Sequence, residues 1–83
     1  MKNSKLKLLL LEDSIHDKEL ICELLINAGY QLDLTHVDNA VAFTAALYEA
    51  KFDIILSDFT LQGYDAFGAL ETSKQISPET PFI

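Results

Sequence analysis

A single cysteine, Cys22, stands among 83 residues, and tryptophan is absent. One thiol excludes an intramolecular disulfide and any metal site built on several cysteines, so Cys22 reads as a small apolar residue on a helix. Basic residues are scarce: six face thirteen acids, for a net charge of -7. That balance argues against nucleic-acid binding built on phosphate neutralisation. It is compatible with a divalent cation if the acids converge, and equally with a solvated acidic surface. No apolar run approaches the ~20 residues of a membrane span. The leucines at 8–11 follow lysines as a signal peptide's would, but they end on Glu12 and Asp13 rather than on a small-residue cleavage site. A soluble, cytoplasmic protein is expected. His16 and His36 lie far apart without ligand-like company and read as surface residues.

What is present is a globular composition, 49% hydrophobic and 23% charged, in a length suited to one small domain. Leu6 to Leu11 is a short apolar run ended by two acids, and its continuity predicts a strand buried on both faces. Ser14, with Asp17 three residues on, is a capping signal. Apolar residues at 21, 24, 25 and 28 then follow helical spacing up to Gly29, a natural stop, which predicts a helix over 15–28. Residues 31–37 alternate apolar and polar, as an edge strand with one wet face does. Asp38 or Asn39 caps a second helix over 40–50, with Val41, Ala45 and Tyr48 at helical spacing. Residues 53–57 form another short apolar strand, followed by Asp58. A loop over 59–64 contains Gly63, and Asp65 is positioned to cap a third helix over 66–75, whose interior Gly68 weakens by roughly 1 kcal/mol. A connector over 77–81 leads to Phe82 and Ile83, the start of a fourth strand. Phe43, Phe52, Phe59, Phe67 and Tyr48 read as core or near-core packing, and Tyr30 and Tyr64 as nearer the surface.

Strands alternating with helices across short connections predict an α/β fold with a mainly parallel sheet and helices on both faces. In such sheets ligands bind beyond the carboxyl ends of the strands, near the point where strand order reverses. The first strand ends in Glu12-Asp13 and the third in Asp58. If these strands are neighbours, three carboxylates converge. Like charges so placed need a compensating cation or raised pKa values, and a hard oxygen site that keeps waters suits Mg²⁺. The competing reading is that each acid only caps the following helix and faces water.

Leu8-Leu-Leu-Leu-Glu-Asp-Ser14, then Asp53-Ile-Ile-Leu-Ser-Asp-Phe-Thr-Leu-Gln-Gly-Tyr-Asp65, then Pro78-Glu-Thr-Pro-Phe-Ile83 resemble the receiver domain of two-component response regulators. The resemblance covers essentially all of residues 1–83. It implies a flavodoxin-like doubly wound sheet of strand order 2-1-3-4-5, of which this chain holds three β/α units and the start of a fourth strand. It implies Asp58 as the phosphoacceptor for a phosphoryl group from a histidine kinase or phosphotransfer protein. Asp13 is implied as a direct Mg²⁺ ligand, Glu12 as one acting through water, and the Thr60 backbone carbonyl as the third protein ligand. The implied role is a signalling switch in a phosphorelay rather than a turnover enzyme.

The sequence departs from the family's pattern in places. Gln62 stands where proline is usual and Ala66 where glycine is frequent; neither change removes a ligand. The resemblance also places residue 83 inside the fourth strand, ahead of the family's switch Ser/Thr, the lysine that pairs with the phosphoryl group, the last strand and two helices. On that reading the fourth strand is an open edge, and homo-oligomerisation or exchange of elements between chains is expected. Two other classes stand beside the phosphoacceptor. One is a receiver-like interaction module that works without phosphorylation. The other is a small flavodoxin-like enzyme or nucleotide binder, for which Glu-Asp-Ser replaces the Gly-rich phosphate loop. An aspartate-nucleophile phosphatase would want a second acid two residues after Asp58, where Thr60 stands.

Overall fold

The computed structural model describes residues 5–57 and 66–83. Their order is β1 (Leu6–Leu11), α1 (Ile15–Asn27), β2 (Leu32–Val37), α2 (Ala40–Glu49), β3 (Ile54–Ser57) and α3 (Ala66–Ile76). The three strands form a parallel sheet of order β2-β1-β3. The register runs from Leu6 opposite Leu32 to Leu11 opposite Val37 on one side, and from Leu8 opposite Ile54 to Leu11 opposite Ser57 on the other. Phe82 bridges Ile55 in parallel. The Ile83 N–H donates to the Ile55 carbonyl and the Ser57 N–H to the Ile83 carbonyl, each at 2.9 Å. The chain therefore takes a fourth position beyond β3, as the sequence led us to expect.

β1 is central and its leucines 8–11 are closed to solvent. Side chains alternate across a strand. Leu9 and Leu11 pack with Val37, Ile55, Phe43, Leu47, Phe52 and Ala69 in a core beneath α2 and α3. Leu8 and Leu10 point to the other face, and α1, which contacts β2 and contributes nothing to that first core, is its helix. β2 is an edge strand, half-buried along most of its length, which agrees with its alternating sequence.

Local chemistry fixes the helix ends. Ser14 Oγ accepts from the Asp17 N–H at 3.2 Å, and Asn39 Oδ1 from the Ala42 N–H at 2.8 Å, so Asn39 rather than Asp38 is the cap of α2. At the end of α1, Gly29 has φ +103. Its N–H donates to the Ile26 carbonyl at 3.0 Å, and the Tyr30 N–H to the Leu25 carbonyl at 3.1 Å. This is the Schellman arrangement, for which glycine is favoured because the left-handed backbone costs it no Cβ clash. The connector after α3 is also tied down: Thr80 Oγ1 donates to the Phe52 carbonyl at 3.2 Å and lies 3.3 Å from Ser77 Oγ.

Two helix faces differ from expectation. The stripe Val41, Ala45 and Tyr48 of α2 faces solvent, with Tyr48 74% exposed; Phe43, Ala46 and Leu47 face the core instead. Tyr48 is thus not a core residue. On α1 the half-buried positions are 18, 21, 22 and 25, while Leu24 is 69% exposed and Ala28 is exposed too. Expectations for Phe59, Tyr64 and Asp65, and for the side chain of Phe67, lie outside the described residues.

Candidate functional site

β1 and β3 are neighbours, and Leu11, the last residue of β1, stands opposite Ser57, the last residue of β3. The carboxyl ends of these two strands therefore lie side by side. Glu12 and Asp13 leave the first of them. Asp58 follows Ser57 in the chain, but it and Thr60 lie outside the described residues.

The two described acids differ in setting. Glu12 is 4% exposed and Asp13 is exposed. A buried carboxylate is costly unless it is hydrogen-bonded, and Glu12 Oε2 accepts from the Ser14 N–H at 3.2 Å. The Glu12 backbone is held as well. Its N–H donates to the Val37 carbonyl at 2.9 Å, and its carbonyl accepts from His36 Nε2 at 2.7 Å. A carbonyl has only lone pairs to offer, so this contact requires the proton on Nε2. Ser14 thus acts at both ends of the turn, capping α1 through its hydroxyl and securing Glu12 through its amide. The result is a hydrogen-bonded turn that holds one acid inward and leaves the next facing solvent.

His36 is the residue that sequence reasoning missed. It is half-buried rather than a bland surface histidine, and it pairs across β1–β2 with Leu10. The available signal was its position one residue before the end of an edge strand, beside the acidic turn. His16, by contrast, is exposed as expected. Among the described residues, no three Asp, Glu, His or Cys side chains gather in a way that could hold a metal ion. The described donors at the strand ends are two carboxylates, hard oxygen ligands of the kind Mg²⁺ takes.

No protein-family model matches the chain, and no curated protein matches it. Solved structures do. The fold is that of a response-regulator receiver domain, a flavodoxin-like α/β sheet. The chemotaxis response regulator CheY4 of Vibrio cholerae superposes with a TM-score of 0.79 at 23% identity, over 95% of this chain and 66% of that one. The receiver domain of a sensor histidine kinase from Pseudomonas aeruginosa superposes with a TM-score of 0.79 at 22% identity, over 95% of this chain and 65% of that one; it holds a magnesium ion coordinated in its active-site cleft. The chain thus spans just under two thirds of each. No helix among the described residues is long and apolar enough to cross a membrane.

Proposed function

We propose that the chain is a phosphoacceptor receiver, taking a phosphoryl group from a histidine kinase or phosphotransfer protein onto Asp58. The observation that carries this reading is the register of Leu11 opposite Ser57, which puts the carboxyl end of β3 beside the carboxyl end of β1, where the acidic turn begins. The receiver fold supports it, and so does the hydrogen-bonded turn that carries Glu12 and Asp13 at the end of β1. In this reading an Asp58 carboxylate oxygen attacks the phosphorus of a phosphohistidine. The P–O bond forms as the P–N bond breaks, and the imidazole leaves with the electron pair. The step moves a phosphoryl group once per activation, which makes the chain a switch rather than a turnover enzyme.

Asp13, Glu12 through water, Asp58 and the Thr60 carbonyl are the residues that would hold Mg²⁺. When bound, the cation neutralises charge on the transferring phosphoryl group. The chain's own contribution is positional. The Ser14 amide and the Val37 and His36 contacts fix Glu12, so the turn need not be reordered at the moment of transfer. A net charge of -7 argues against nucleic-acid binding built on phosphate neutralisation and is compatible with partner proteins as the associates.

The test is intact mass after incubation with a small-molecule phosphodonor, with and without Mg²⁺. One phosphoryl adduct that needs Mg²⁺ and is absent from Asp58→Asn is the expected result. No adduct under any condition would overturn the acceptor reading in favour of an interaction module that works without phosphorylation.

A further inference from the structure

Parallel strands pair so that a residue bonds to the residues on either side of its partner, not to the partner itself. The Leu6 N–H accordingly donates to the Gln31 carbonyl, one residue before its partner Leu32. At the other end of β1, the Glu12 N–H donates to the Val37 carbonyl. By the same pattern the Glu12 carbonyl would next accept from the N–H of residue 39. β2 ends at Val37, however, and Asn39 already caps α2. His36 Nε2 lies 2.7 Å from the Glu12 carbonyl oxygen. A side chain thus supplies the rung that the strand no longer can.

The strand itself places His36 for this. The residue stands opposite Leu10, and its ring reaches two residues further along the neighbouring chain. The effect of the bond is not confined to Glu12. A peptide unit is planar, so a carbonyl oxygen and the Cα of the next residue move together. A donor on the Glu12 oxygen therefore orients the plane that ends at the Asp13 Cα. The other two contacts of the turn act elsewhere. The Glu12 N–H belongs to the preceding peptide, and the Ser14 N–H holds the Glu12 carboxylate. Asp13 is exposed, so its backbone, rather than packing around it, sets where its carboxylate starts.

We propose that His36 is a positioning residue of the acidic site: by holding the Glu12–Asp13 peptide, it sets the direction in which Asp13 presents its carboxylate to a divalent cation. This role rests on the proposed function, in which Asp13 and Glu12 supply Mg²⁺ ligands. His36 acts through the backbone and does not touch the cation. Mg²⁺ demands near-ideal octahedral geometry, so a misdirected oxygen costs affinity. Groups that orient a metal's ligands without touching the metal commonly matter by about 10–100-fold in binding.

Calorimetric titration of the metal-free chain with MgCl₂ tests it, under conditions where each variant is folded. His36→Leu removes the donor while keeping an apolar side chain in its place, and is expected to weaken Mg²⁺ binding by about tenfold or more. His36→Gln carries an amide N–H at a similar reach and should keep most of the affinity. Leu34→Ala, two residues earlier on the same face of β2, removes packing but not the donor, and should bind as the unaltered chain does. A His36→Leu chain that binds Mg²⁺ as tightly as the unaltered one overturns the proposal and leaves the role of the acids standing. Equal weakening in all three variants also overturns it, since that pattern reports a general loss of structure. An unaltered chain that binds no Mg²⁺ overturns the assignment of the acids, and this proposal with it.

Discussion

His36 Nε2 donates to the backbone carbonyl of Glu12 across 2.7 Å, tying the edge strand to the first residue beyond the central one. With the Glu12 N–H bonded to the Val37 carbonyl, the acidic turn is bolted to β2 through both backbone groups of one residue. His36→Ala leaves a part-buried carbonyl without this donor and is expected to cost about 1–2 kcal/mol, measured by urea unfolding. Long-range ¹H–¹⁵N NMR of the intact chain should show the Nε2–H tautomer when the ring is neutral. A neutral ring protonated on Nδ1 would contradict the contact.

The orientation of α2 makes a sharp contrast between two of its aromatics. Phe43 is fully buried and Tyr48 is 74% exposed. Phe43→Ala is expected to lose about 3–5 kcal/mol, a large fraction of the roughly 5–15 kcal/mol that holds a small domain together. Tyr48→Ala should change monomer stability by no more than about 0.5 kcal/mol. Chemical denaturation at low protein concentration separates the two. Equal losses would mean that the helix is rotated from the arrangement described.

Gly29 should resist substitution for a reason that packing does not supply. A Cβ there would meet nothing within 4 Å, so the cost of Gly29→Ala comes from its φ of +103 alone. A loss of about 1–2 kcal/mol is expected, with Gly29→Asn costing less because asparagine tolerates the left-handed region better. Thermal unfolding of the two variants gives the comparison directly.

Glu79 carries the pH dependence that can be assigned. Its carboxyl lies below the ordinary range, first because its own backbone N–H donates to it and second because Lys51 does. A carboxylate whose folded pKa is depressed adds stability above its unfolded pKa and loses it as pH falls through the folded one. NMR titration should therefore place the Glu79 midpoint below that of unpaired glutamates, and Lys51→Gln should raise it only partway. The group is exposed, so acid unfolding of the whole chain should shift little in Glu79→Gln.

The fold was legible because its signals are local and agree with one another. Ser14 and Asn39 cap the helices they precede, Gly29 ends α1, and the apolar run of β1 is buried from Leu8 to Leu11. Strand order was not legible from periodicity, since burial says nothing of which strands adjoin; only the likeness to receivers implied that β1 lies between β2 and β3. The face of α2 was misread for a physical reason. With no charge between Ala40 and Tyr48, apolar residues at helical spacing occur on both sides, and the pattern cannot choose between them. At the site, the pairing of Glu12 with Asp13 was readable, but the inward and outward settings of the two acids were not. Those depend on a serine amide and on a histidine 24 residues away in sequence.

The most direct test concerns the residue that follows Ser57. After treatment with a phosphodonor and Mg²⁺, borohydride reduces an aspartyl phosphate to homoserine, and peptide mass mapping then locates it. Homoserine at position 58 alone, dependent on Mg²⁺ and diminished in Asp13→Asn, is the expected result. Homoserine at another acid, or none at position 58 when intact mass shows a phosphoryl adduct, would contradict the assignment of Asp58 as the acceptor.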